Sequence, residues 1–354
     1  MHRHLSSAAA KCSSKLLARS VAPRSATRIF PAAHRAQFPA SALRTLAKPF
    51  SSAAPKTAEE RRAHEMGVVD QYDSEHKRAF YAEVMGDGTD NIHFGKWDGV
   101  DTEAPGAYGK AATGMTNWMW KQAMEIVDQD GSAKQIKYID LGSGSGSAAA
   151  HLCEQDPKVS AMCINLCPNQ NEENMTRASA MGLDTKISVT TGTYMEMPKD
   201  WDNMFDGCFT QDAFVHAYSK EAGLREALRV TRPGGFLVLC DLHCGAGPDV
   251  SAEELHTFAE TNMVADWLTP DECVVAAKKA GWLDAHFVDL TPDIRLSFQL
   301  MGRKVTDMLA SGKYNKSEML PTLKTYEANL IERVTQVDRG VFKWGALIGS
   351  KPGN

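Results

Sequence analysis

The residues most able to do chemistry lie in the run Tyr138-Ile139-Asp140-Leu141-Gly142-Ser143-Gly144-Ser145-Gly146. A glycine-rich turn between an apolar strand and a helix brings backbone close to a ligand and points helix N-terminal N–H groups at its polar tail. A dinucleotide site would show GxGxxG and an acid about 20 residues on for the ribose. Here the spacing is GxGxG, the acid comes first at Asp140, and position 165 is Asn. That pattern suits a methionine-type tail, whose ammonium group Asp140 can meet directly or through water. A tight turn that needs glycine for geometry alone would account for the same residues.

Such a turn must be carried by alternating strands and helices, and the chain supplies them. Strands are predicted over 135–141, 159–166, 187–191, 205–210, 236–242 and 285–290, with helices over 147–155, 170–181, 220–230 and 270–280 between them. This alternation predicts a parallel sheet wound on both faces, with Thr269 capping the last of these helices and Gly281 stopping it. Arg232-Pro233-Gly234-Gly235 reads as a turn into the fifth strand. Residues 59–85 and 112–130 read as helices ahead of the sheet, and the glycine-rich 87–110 between them as a loop that carries His93, Phe94, Trp97 and Tyr108. A helical excursion is expected at 250–268, a helical cap over the sheet edge at about 292–340, and a final strand at 342–348.

Charge divides the chain sharply. Residues 1–58 hold ten of its 39 Lys and Arg and no acid, so the remainder sets 29 basic residues against 44 acidic ones, a balance of −15. A Ser- and Ala-rich basic leader with an amphipathic start has the composition of a cleavable transit peptide, with Phe50-Ser51-Ser52 favouring mitochondrion over plastid. A nucleic-acid arm would also be basic, but the acidic body lacks the extended positive surface that phosphate backbones require. No apolar run approaches the length of a membrane span. The eight cysteines contain no CxxC pair, which argues against both a disulfide framework and a metal site; Cys240, His243 and Cys244 lack a fourth ligand.

Four further segments carry a resemblance. Tyr72-Asp73-Ser74 with Phe80-Tyr81 and Asn91–Trp97, Cys163–Asn171, Thr210–His216 (TQDAFVH) and Lys343-Trp344-Gly345-Ala346 together resemble the sarcosine/dimethylglycine N-methyltransferase group of class I S-adenosylmethionine-dependent methyltransferases, over residues 70–350. The resemblance implies a doubly wound, seven-stranded Rossmann-like α/β sheet with N-terminal helices and a helical cap. It implies S-adenosyl-L-methionine as cofactor, held by Asp140, Gly142, Gly144 and Gly146 at its methionine half, Asn165 and Gln170 at ribose, Tyr194 and Met195 at adenine, and Gln211 near the sulfonium, with Tyr72 closing the site. Tyr81, Trp97, Asp212 and Trp344 would meet the substrate. His216, and after it His93, would take a proton from an amine acceptor.

The expected partner is a small methyl acceptor, sarcosine or dimethylglycine, with the thioether 4-methylthio-2-hydroxybutyrate or a phenol of the tocopherol kind as other acceptors. A homodimer is a compatible assembly. A catalytically silent S-adenosylmethionine-binding interaction protein is the reading from a different class. The sequence departs from the group at Gly86–Asp90, at Trp97 where a Tyr is usual and at Gly345-Ala346, all positions that could reshape the acceptor pocket.

Overall fold

The computed structural model describes residues 57–72, 80–86, 91–129, 131–133 and 135–353, together with Pro55. The basic leader expected over residues 1–58 lies almost wholly outside them. Helix α1 (Ala58–Tyr72) and a π-helical turn (Ala82–Gly86) lead to α2 (Ala107–Val127). The alternating region continues as β1 (Ile136–Leu141), α3 (Ser147–Gln155), β2 (Val159–Asn165), α4 (Pro168–Ala180), β3 (Ile187–Thr191), β4 (Phe205–Gln211), α5 (Lys220–Val230) and β5 (Thr231–Cys244). The chain ends with α6 (Ala252–Thr261), α7 (Pro270–Ala280), β6 (Leu283–Asp289), α8 (Thr291–Ala310), α9 (Leu320–Arg339) and β7 (Phe342–Ser350).

Seven strands form one sheet in the order β3-β2-β1-β4-β5-β7-β6. The strands of the alternating region pair in parallel as expected, whereas β7, lying between β5 and β6, runs antiparallel to both. The reason is connectivity: the α8–α9 pair returns the chain to the end of the sheet it left, so β7 enters the gap from the opposite direction. Successive side chains of β5 serve opposite faces, as strand geometry requires. Phe236, Val238 and Cys240 join one buried cluster, whereas Leu237 and Leu239 join the other.

Two boundaries differ from expectation. Helix α2 begins at Ala107, so Tyr108 and Gly109 are helical and buried and do not belong to the loop. Small residues permit a close crossing there: a Cβ on Gly95 would fall 2.4 Å from the Ala111 Cβ, and Lys96 N donates to Ala111 O at 2.9 Å. The Pro233-Gly234-Gly235 turn proves to be a bulge inside a continuous ladder, in which Phe205 pairs with Thr231 and Gly207 with Phe236. Gly234 takes a positive φ of 76° within it.

Helix α7 has the expected ends: the Thr269 hydroxyl accepts from Glu272 N, Glu272 closes a capping box, and Gly281 stops the helix at φ 114°. The α8–α9 insert does more than cover an edge. Ser297 Oγ accepts from Trp97 Nε1 at 2.8 Å, Asp293 accepts from Trp97 N at 2.7 Å, and Tyr326 stacks on Phe80 at 3.8 Å. It thereby fixes the segment that precedes α2. Among the described residues no helix is long and apolar enough to cross a membrane.

Candidate active site

Strand order reverses between β1 and β4, and the crevice beyond their carboxyl ends is where open α/β sheets hold ligands. A cavity of about 250 Å³ lies there. Tyr72, Tyr81, His93, Gly142, Gly144, Asn165, Gln170, Tyr194, Met195, Gln211, Asp212 and His216 all stand on its wall. Twelve of the sixteen residues expected to form the site are therefore brought together from elements far apart in the chain.

The other four are not on that wall. Asp140 is buried behind the turn, where desolvation pushes its carboxyl up to about 7, with His93 pulling weakly the other way. Gly146 is the left-handed N-cap of α3, and any Cβ there would collide with the Asn174 amide. Trp97 is packed edge-on against Tyr108 at 5.5 Å with its indole N–H held by Ser297, so it is core. Trp344 is fully buried, and its Nε1 donates to Asp212 Oδ1 at 2.9 Å. It positions a wall residue and does not form the wall.

Asp212 is tied down from three directions. Besides Trp344, Phe94 N donates to its Oδ2 at 3.2 Å and His93 Nδ1 lies 3.6 Å from the same oxygen. Its own backbone is left-handed, φ 55°, a conformation that costs a non-glycine residue about 1 kcal/mol or more and persists where surrounding contacts enforce it. The result is a rigid carboxylate beside an imidazole on the cavity wall.

His216 is arranged differently from expectation. Its Nδ1 lies 3.0 Å from the Met263 carbonyl, which can only accept, so Nδ1 carries the proton. Nε2 is then the acceptor for the Tyr72 hydroxyl at 2.8 Å. Burial above all pushes the imidazole down to about 4, so it is neutral near pH 7 with its lone pair already engaged. His64 Nε2 sits 2.9 Å from the His216 carbonyl, a second tie between α1 and the 214–216 turn. Lys220 Nζ donates to the carbonyls of Val215, Ala217 and Ala265 at 2.9, 3.0 and 2.9 Å, pinning that turn from below.

Sequence reasoning missed Asp241, which lines the cavity while accepting from Val215 N at 2.5 Å and Leu242 N at 2.7 Å. Burial and the nearby Asp212 charge push its carboxyl up. Its position near the carboxyl end of β5, beside the switch strand, was the available signal. Asn262 also reaches the wall, from the end of α6, and no local motif announces it. Among the described wall residues the acids are Glu65, Asp212 and Asp241, and no Lys or Arg is present.

The turn and its surroundings fit a ligand with an amino-acid tail and a ribose. A Cβ on Gly144, at φ 54°, would meet nothing within 4 Å, so its backbone lies open to close approach. Gln211 spends its Oε1 on the Thr116 hydroxyl at 3.0 Å and leaves a buried Nε2 without a partner. Asn165 Nδ2 donates to Gln170 Oε1 at 3.1 Å, forming an amide pair on the wall at the end of β2.

Comparison with known proteins agrees with this geometry. A family model described as a methyltransferase domain matches residues 139–239. A glycine/sarcosine/dimethylglycine N-methyltransferase of Actinopolyspora halophila is 28% identical over 152 residues, covering 43% of this chain and 26% of that protein. A sarcosine/dimethylglycine N-methyltransferase of Halorhodospira halochloris is 32% identical over 171 residues, covering 48% and 56%. The chain thus spans about a quarter and a little over half of these two relatives. A Galdieria sulphuraria structure described as a sarcosine dimethylglycine methyltransferase superposes with TM-score 0.66 at 22% identity, covering 78% of this chain and 99% of that one. Residues 139–239 match a methyltransferase-domain model, and the chain that contains them has the class I methyltransferase fold.

Proposed function

We propose that this chain transfers the methyl group of S-adenosylmethionine to the nitrogen of a small amino acid, sarcosine or dimethylglycine. The carrying observation is the character of the cavity beyond the glycine turn: acidic and aromatic, with no Lys or Arg among its described wall residues. Such a wall favours cations. A sulfonium donor and an ammonium acceptor are both cations, whereas a phenol gains nothing from it.

The cofactor supplies a methyl group on an activated leaving sulfur, so the protein needs no nucleophile of its own. What remains for the chain is positioning, exclusion of water and removal of one proton from the acceptor nitrogen. Gly142, Gly144, Asn165, Gln170 and Gln211 would hold the cofactor. The proton goes to His93, whose imidazolium the Asp212 carboxylate would stabilise at 3.6 Å. His216 cannot take it directly, because its one lone pair is occupied by Tyr72. It is a positioning residue that holds the Tyr72 phenol on the wall.

The test is a methyl-transfer assay of the chain with glycine, sarcosine, dimethylglycine and 4-methylthio-2-hydroxybutyrate. Turnover of sarcosine or dimethylglycine, lost by about 100-fold or more in His93→Gln, is the expected result. Inactivity toward all four with S-adenosylmethionine still bound would refute the acceptor assignment.

A further inference from the structure

An amino-acid acceptor brings a carboxylate into a cavity whose described wall carries acids and histidines but no Lys or Arg, and a cation close behind that wall would complement the carboxylate. One guanidinium stands there. Arg333 of α9 is largely enclosed, lies 4.2 Å over the Phe258 ring, and donates from Nη1 to Gln336 Oε1 at 2.7 Å. Its Nη2 donates to Asn262 Oδ1 at 3.2 Å. Both acceptors are neutral amides, and among the described residues Arg333 makes no ion pair.

Asn262 is itself a wall residue, so the second of these bonds reaches the cavity lining. Tyr81 stands on the same wall, its hydroxyl 3.4 Å from that of Tyr326, and Arg333 lies near both phenols. The guanidinium carries five N–H donors and hydrogen-bonds to amide oxygens alone among the described residues, while the Glu332 charge acts on it through space and it also borders a separate cleft with Glu253, Glu254 and Glu332. A carboxylate in place of the Asn262 oxygen would convert a neutral hydrogen bond into a charge-assisted one of roughly twice the strength.

We infer that Arg333 is the carboxylate anchor of the acceptor site, with Asn262 Oδ1 holding the carboxylate's place when no acceptor is bound. This rests on the amine-methylation reading, and assigns the acceptor two grips: acids and aromatics on the ammonium end, Arg333 on the carboxylate. The acceptor class is then small N-methyl amino acids, with amino alcohols of the same size bound less well.

The experiment compares dimethylglycine with dimethylethanolamine, which keeps the amine and lacks the carboxylate, in the wild type, Arg333→Gln, Arg333→Lys and Asn262→Asp. Arg333→Gln is expected to raise the KM for dimethylglycine by about tenfold or more with kcat within about threefold, leaving dimethylethanolamine and S-adenosylhomocysteine affinity unchanged. Arg333→Lys should restore part of the loss. Asn262→Asp keeps the arginine and puts a permanent carboxylate on it, so it should raise the same KM.

An unchanged dimethylglycine KM in Arg333→Gln overturns the anchor while methyl transfer stands. An equal rise for both acceptors and for the cofactor overturns it too, since that marks a structural role. If the wild type methylates neither compound and its S-adenosylhomocysteine complex takes up no dimethylglycine by calorimetry, the amine-methylation reading has failed and the anchor falls with it.

Discussion

At the scale of single residues, the site depends on side chains whose usual chemistry is redirected by their partners. Tyr72 and His216 act as one unit, joined by a 2.8 Å hydrogen bond between a half-buried phenol and a buried imidazole. Removing either leaves the other's polar atom unsatisfied, so Tyr72→Phe and His216→Ala should each lower kcat/KM by about tenfold to 100-fold. The double variant should be little worse than either, a coupling of about 1 kcal/mol or more in a double-mutant cycle. Additive losses would contradict the pairing. Asp140 makes a pH prediction. Burial holds its carboxyl near 7, so it is largely protonated at pH 6 and ionised at pH 8. A cationic cofactor bound next to the turn favours the ionised form, and its affinity should tighten by up to about tenfold as pH rises across that window. Calorimetric titrations at pH 6 and 8 check this, and Asp140→Asn should flatten the dependence.

At the scale of elements, local periodicity and cap chemistry were legible in the sequence, whereas features that depend on the return path of the chain were not. The strands of the alternating region, the Thr269 cap and the Gly281 stop were readable because each is set by residues a few positions apart. The antiparallel direction of β7, between β5 and β6, escaped, because it depends on where α8 and α9 deliver the chain. The glycine turn and the wall residues at the ends of β1, β2 and β4 were legible as motifs. Trp97 and Trp344 were misplaced for one reason: an aromatic in a motif can serve the site by being behind it. Asp241 and Asn262 come from strand and helix ends with no motif around them. The insert's buttressing role is testable at Ser297, which holds Trp97 Nε1 at 2.8 Å and Gly95 N at 3.4 Å. Ser297→Ala strands a buried indole N–H and should cost about 1–3 kcal/mol in denaturant unfolding. Cofactor affinity should stay near wild type, because Ser297 does not reach the cavity.

At the scale of the whole molecule, a sheet that reverses its strand order at one place creates one crevice, and nearly every residue argued to be functional converges on it. Helix α1 closes the crevice through Tyr72 and His64, and the α8–α9 pair supports its far side and supplies Arg333. The acid-free basic segment 1–58 is a separate matter of addressing, and we propose that it directs the chain to the mitochondrion. Fused to a fluorescent reporter it should be imported and cleaved; a cytosolic, uncleaved fusion would contradict that. The claim on which the rest stands is that the open turn at Gly144 receives S-adenosylmethionine. Titration calorimetry with S-adenosylhomocysteine tests it most directly. One site per chain is expected, with affinity reduced about tenfold or more in Gly144→Ala, whose Cβ would occupy the space left open beside the turn and strain a backbone at φ 54°. No measurable binding to the wild-type chain, or equal binding to Gly144→Ala, would contradict it.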